Sequence, residues 1–308
     1  MNVRLPTGWL HCALLCALSQ AALAVSEVPS PAATDEPVFA APTRIDRVGR
    51  ILAPVMIDGK GPFRFLLDTG ANYSVVSPQL AQSLGLVPSE ERARWVHGVT
   101  GSAKIPTVRI VLMKAGDLPI DSDHVPVIAS ASFSGADGVL GVAGLQHAQV
   151  FVDFRHDRVV ISRSRYRADP ATFLIVDADR LPDGLLTVDA RIRGVRALAV
   201  IDTGAERTLG NLALRDALRT RGSSSESSQY TDVYGATVEI AKGESERSNV
   251  VRFGEVTIKD VEITFGDFHI FEAWDLQSRP AMLIGMDVLG VLDTLVIDFR
   301  RQQILVGR

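Results

Sequence analysis

The sequence predicts a mainly β chain folded as two lobes related by a pseudo-twofold axis. Three observations carry this reading. A segment recurs 134 residues later, each copy is preceded by a hairpin signal, and each is followed by a short capped helix. The recurring segment is Leu66-Leu67-Asp68-Thr69-Gly70-Ala71, which returns as Val200-Ile201-Asp202-Thr203-Gly204-Ala205. Self-similarity at a fixed spacing marks a duplicated unit. Ser77 and Asn211, Leu80 and Leu214, and Leu84 and Leu218 keep the same offset. Ser77 followed by Pro78 reads as a helix start, and Gly85 as its C-cap.

Upstream, Val55 to Ile57 turns at Asp58-Gly59 and returns through Phe63 to Leu67. In the second copy Ala190 to Ile192 turns near Gly194 and returns through Ala197 to Ile201. Asp-Gly between apolar runs is a hairpin signal. Val256 to Ile258, Lys259-Asp260 and Val261 to Ile263 read as one more hairpin. Further on, Asp137 to Gly141 matches Ala281 to Gly285, and Val150 to Arg155 matches Leu295 to Arg300, at offsets of 144 and 145. The second half therefore carries about ten extra residues. The polar stretch Arg219 to Gln229, with Gly222 and five serines, is the expected loop. The two lobes are expected at 45–165 and 166–308.

The composition excludes other classes. Of 308 residues, 46% are apolar and 22% charged, which rules out collagen, coiled coil and wholesale disorder. A net charge of −4 gives no case for nucleic acid or an anionic membrane as partner. The only cysteines, Cys12 and Cys16, exclude a disulfide framework. Residues 1–24 read as a secretory signal peptide: Arg4 is the charged n-region, Leu10 to Leu18 is mostly apolar, and Ala22-Leu23-Ala24 fits a cleavage site. The expected location is therefore the periplasm or outside the cell, with an uncleaved anchor as the alternative reading of the same stretch. Residues 25–44, with four prolines, read as a flexible linker or short prosegment. No later stretch approaches a membrane span.

An apolar strand running into Asp-Thr-Gly brings a carboxylate out at the floor of a cleft. One such turn means little, but two in equivalent places of a duplicated chain bring Asp68 and Asp202 face to face. Carboxylates that close share one proton. Such a pair can hold a water, deprotonate it and protonate a leaving group. With Val139-Leu140-Gly141 and Leu283-Ile284-Gly285, these segments resemble the aspartic proteases of the pepsin and retropepsin type over most of residues 45 to 308. The segment Leu283 to Leu289 is similar to bacterial retropepsin-like sequences.

The resemblance implies a pepsin-like acid protease fold in which one chain supplies both lobes, so that a monomer suffices. It implies a polypeptide substrate in the cleft, with Asp68 and Asp202 activating water and no metal or other cofactor. Thr69 and Thr203 would knit the two loops together, and Gly70 and Gly204 would allow their close approach. The family covers its cleft with a hairpin. Trp95 to Gly101, with Trp95 and Gly98, is the candidate, and Val233 to Thr237, with Tyr234 and Gly235, its counterpart. An ordinary exposed glycine turn is the competing reading for both.

Other signals are set aside. His97, His124, His147, His156 and His269 show no paired ligand spacing. Gly-x-Ser-x-Gly is absent. Asp153 and Asp298 match across the repeat and read as structural strand ends with charge partners. Two rival functions remain: a catalytically silent peptide-binding protein on the same fold, which would need no paired carboxylates, and a glycosidase, whose two carboxylates stand about 5 Å or more apart. Ala71 and Ala205 stand where a Ser or Thr could donate to an ionised Asp, so the expected pH optimum is less acidic than that of gastric-type enzymes. A pH–rate profile peaking below about pH 3 contradicts this.

Overall fold

The computed structural model describes residues 39–42 and 50–308, apart from 117, 121, 122, 130–132, 134, 166, 223–228 and 238. The expected signal peptide, most of the expected linker and the core of the serine-rich loop lie outside these residues. Within them the chain is mainly β, in two lobes with one shared sheet.

The first lobe is built on a six-stranded sheet ordered Val75–Val76, Gly138–Leu140, Lys60–Leu67, Leu52–Ile57, Met113–Ala115 and Leu118–Ile120. The expected hairpin turns at Asp58-Gly59, with φ of 48° and 77°. That left-handed pair suits the twist of the flanking strands. The second lobe repeats the plan and closes it. Leu186–Ile192, Val195–Ile201, Ala281–Ile284, Leu209–Gly210, Val256–Phe265 and Ile240–Phe253 follow one another, and the last pairs back onto the first. A ring of strands has no free edge among its members.

The Lys259-Asp260 turn expected from sequence is a correction. Val256–Phe265 is one continuous strand, and its register with Ile240–Phe253 runs unshifted from Phe253↔Val256 to Glu244↔Phe265. The reversal falls at Gly254-Glu255. Asp260 carries its φ of 56° inside the strand, a conformation Asp tolerates better than most residues. A long partner strand satisfies more backbone groups than two short hairpins would, and that decides the outcome.

The third sheet joins the lobes. Its order is Phe39–Pro42, Arg158–Arg163, Ala148–Asp153, Thr294–Asp298, Gln303–Gly307 and Phe173–Asp177. At its centre Phe151 pairs with Val296, its own counterpart in the repeat, while Val150 pairs with Ile297 and Val152 with Leu295. Exchanging the two halves maps this ladder onto itself, so the pseudo-twofold axis passes beside Phe151 and Val296. The strand Phe39–Pro42 lies within the stretch expected to be linker. It adds to the open edge of Arg158–Arg163, with its proline last, where a missing N–H costs no ladder bond.

The helices after the two Asp-Thr-Gly turns begin as expected. Ser77 Oγ accepts from the Leu80 N–H at 3.1 Å ahead of Pro78–Leu84. Gly85, at φ 72°, ends that helix by donating to the Gln82 carbonyl at 3.0 Å. Asn211 does more than its counterpart. Its Oδ1 accepts from the N–H groups of Leu214 and Ala281, and its Nδ2 donates to the carbonyls of Leu276 and Arg279. Truncation of this buried side chain removes all four bonds at once and leaves the Leu276 carbonyl with only a long bond, 3.5 Å, from the Arg279 N–H. Asn211→Ala is therefore expected to cost about 2–4 kcal/mol in urea unfolding, against about 1 kcal/mol for Ser77→Ala. Equal losses would contradict this accounting.

Candidate active site

Each Asp sits at the end of a buried strand whose direction is set by a parallel neighbour. Phe65 to Leu67 pair with Gly138 to Leu140, and Leu198 to Ile201 pair with Ala281 to Ile284. The Asp68 N–H donates to the Leu140 carbonyl and the Asp202 N–H to the Ile284 carbonyl, both at 3.0 Å. Beyond each turn, Val142 and Ala143 donate to Ala71 and Asn72, and Met286 and Asp287 donate to Ala205 and Glu206. The apolar-apolar-Gly segments picked out in the sequence are thus the braces of the two loops.

The loops clasp each other through their threonines. Thr69 Oγ1 donates to the Ile201 carbonyl at 2.7 Å and accepts from the Thr203 N–H at 3.1 Å. Thr203 Oγ1 donates to the Leu67 carbonyl at 2.7 Å and accepts from the Thr69 N–H at 3.2 Å. Both side chains are fully buried. The clasp presses each glycine against the opposite carboxyl. A Cβ on Gly70 would lie 2.3 Å from Asp202 Oδ2, and one on Gly204 would lie 2.2 Å from Asp68 Cγ. No side chain fits there.

The carboxyls are held in turn by backbone donors. Gly70 N–H reaches Asp68 Oδ1 at 2.9 Å. Gly204 and Ala205 reach Asp202 Oδ1 at 2.8 and 3.0 Å. The two carboxyls also hydrogen-bond each other. They therefore stand closer than the glycosidase arrangement requires. Burial pushes Asp68 up from the ordinary 3.8, and its bonds to Asp202, Gly70 and Ala71 and the charge of Arg50 draw it part of the way back. Asp202 stands well above 3.8, first through burial and then through the charge of Asp68. Both carboxyls are held above the ordinary value, so the pair titrates as one coupled unit that can hold a single proton between them.

Three features escaped the sequence reading. Arg50, 3% exposed, lies close enough to act on Asp68 through its charge. Asp287 braces the second loop: it accepts from the Thr208 N–H at 3.0 Å and hydroxyl at 2.7 Å, while Thr208 Oγ1 accepts from the Gly285 N–H. Burial pushes the Asp287 carboxyl up. In the first lobe Ser74 Oγ takes the Gly141 N–H, and Ala143 stands where Asp287 does. The third feature is a contact between His97 and His269. Neither a charge contact between distant segments nor a histidine pair 172 residues apart leaves a local pattern in the chain.

The segment Trp95 to Gly101 is a hairpin tip, between Ser89–His97 and Ser102–Val108, closed by the Gly98 N–H on the Gly101 carbonyl at 2.8 Å. Val233 to Thr237 lies at the matching tip between Gln229–Tyr234 and Ile240–Phe253. The two tips touch. Thr100 Oγ1 and Thr237 Oγ1 are 2.9 Å apart, and a Cβ on Gly235 would lie 2.6 Å from Thr100 Oγ1. Gly98 packs against Ala236 in the same way. Val96 joins Leu66, Val75, Val139 and Ala71 in one apolar cluster, so the first hairpin lies beside the Asp68 loop. Trp95 and Tyr234 are 61% and 66% exposed, so neither belongs to the core.

Asp298 and Asp153 close turns. Asp298 accepts from Ser164 Oγ at 2.7 Å and from Arg301, and Asp153 from His156 Nδ1 at 2.8 Å, so their charge partners are not the Arg300 and Arg155 that follow the matched strands. Among the described residues no helix is long and apolar enough to cross a membrane.

A raised carboxyl binds its proton more tightly in the folded chain than in the unfolded one. Stability must then fall as pH rises from about 4 toward the folded value. Asp202→Asn removes that loss. The variant is expected to gain stability on the parent chain as urea unfolding is repeated from pH 4 to pH 7. A constant difference between the two would show that Asp202 is not raised.

The family described as aspartyl protease matches residues 53–143 and 188–288, one stretch around each Asp-Thr-Gly turn. No curated protein matches the chain.

Proposed function

The chain belongs to the aspartyl protease family, matched over more than half its length, and from that premise we propose that it is an exported endopeptidase of the pepsin and retropepsin type. The observation that carries this reading is the pair of buried carboxyls that the threonine clasp brings together, each with the opposite loop's glycine against it. A water between them gives its proton to Asp68 as its oxygen attacks the carbonyl carbon of a peptide bond. Asp202 gives its proton to the carbonyl oxygen. The resulting diol collapses as Asp202 takes a hydroxyl proton back and Asp68 passes its own to the departing nitrogen. The carbon–nitrogen bond breaks, and the pair is left with one proton, as it began. No covalent intermediate forms.

The substrate is an extended polypeptide lying between the two lobes, beneath the hairpin tips that hold Gly98 and Gly235. A single chain supplies both carboxyls, so the working unit is a monomer. Export rests on the signal-like residues 1–24.

The test is cleavage of an unfolded protein with and without a statine-type inhibitor. Asp68→Asn and Asp202→Asn are each expected to reduce cleavage at least about 10³-fold with the fold intact by circular dichroism, because each removes one half of a proton-transfer pair. Full residual cleavage in either variant would refute the dyad.

A further inference from the structure

Besides the packing of its tip on Gly235 to Thr237, the first hairpin makes two side-chain polar contacts with the second lobe. One is the Thr100–Thr237 contact at the tips. The other lies at the end of Ser89–His97, where His97 meets His269, the first residue of the short helix His269–Ala273. His97 Nδ1 and His269 Nε2 are 3.3 Å apart, and the rings stack with centroids 5.6 Å apart at 29°. His97 is exposed and the His269 side chain is 27% exposed, so solvent reaches both rings.

The helix biases how the two rings bond. Glu272 places Oε2 at 3.5 Å from His269 Nδ1. A carboxylate there favours the tautomer with its proton on Nδ1, which leaves Nε2 as an acceptor. His97 Nδ1–H is then the donor. A first added proton settles on the other nitrogen of His97 and leaves that bond in place. A second must take the Nε2 of His269, which removes the acceptor and sets two cations face to face. The other charged groups here are Glu90, Glu91, Arg92, Arg94 and Lys104 on the hairpin strands, Glu239 against Gly101 at the tip, and Asp267 before the helix. None of them has an ion pair or hydrogen bond with either ring among the described residues. Histidine is the side chain that ordinarily changes charge between about pH 5 and 8. The threonine contact at the tips is the same throughout that range.

We propose that His97 and His269 form an acid-released latch, which holds the first hairpin against the second lobe near neutral pH and frees it when both rings are protonated. The latch rests on the proteolytic reading in one respect, that this hairpin covers the carboxyl pair. At neutral pH the packed tip carries two polar ties to the second lobe, and in acid it keeps the packing and the threonine tie but loses the other. Admission of a polypeptide then becomes easier as the medium acidifies, whatever the carboxyl pair itself requires.

The test is a distance, so it stands apart from any failure of cleavage. In the full chain with Cys12→Ser and Cys16→Ser, spin labels are placed at Lys104→Cys and Ala273→Cys, both exposed positions on the two elements. The separation is expected to widen between pH 7.5 and 4.5. With His269→Phe, which keeps a ring but neither titrates nor accepts, the wider separation is expected at both pH values. A separation independent of pH in the parent, or a His269→Phe chain that keeps the parent's response, would overturn the latch. On a peptide substrate, His269→Phe is expected to raise kcat/KM about five-fold at pH 7 through KM, the size of one net hydrogen bond, and to match the parent at pH 4.5. An unchanged ratio at pH 7 would overturn it as well.

Discussion

The reciprocal clasp of Thr69 and Thr203 is the constraint on which the rest of the site depends. Each threonine donates to the carbonyl of a strand-end residue in the opposite lobe and accepts the other's backbone N–H. Four hydrogen bonds in a buried setting leave the two loops one relative position. Everything chemical follows from that position: the glycines press on the facing carboxyls, the carboxyls touch, and one proton is shared. The clasp works because both loops end strands that are braced from behind by a parallel partner, so it joins two rigid objects.

The symmetry is real in the backbone and broken in the side chains. The ladder around Phe151 and Val296 maps onto itself, and so does the clasp. Yet Asp287 braces only the second loop, and Arg50 acts on the first carboxyl. The positive charge favours the anion on Asp68, and the charge of Asp68 in turn favours the proton on Asp202. Duplication supplies two equal acids, and the later differences between the halves decide which one gives and which one takes.

Much of this was legible in the chain. Asp68, Asp202 and their threonines and glycines stand out because duplication prints each of them twice at one spacing. The helix caps Ser77 and Asn211 are local chemistry, readable from neighbours in the sequence. What could not be read is what distant segments do to one another. Lys259-Asp260 has turn residues, but a 14-residue partner strand overrides them. Trp95 and Tyr234 are large and apolar at a hairpin, and only the packed molecule shows that they face outward. His97 and His269 carry no shared pattern, since the lobes alone bring them together. Phe39–Pro42 lies in a proline-rich stretch and is recruited by an open sheet edge rather than by its own composition.

The central claim is that the clasp makes the two acids a single proton-sharing unit, and carbon-13 titration of the aspartate carboxyls tests it most directly. Asp68 and Asp202 are expected to lose their protons in two well-separated steps that both carboxyls report, with the later step well above the ordinary carboxylate range. Two carboxyls that ionise together near 3.8 would contradict the account, because acids so released have no proton between them to share.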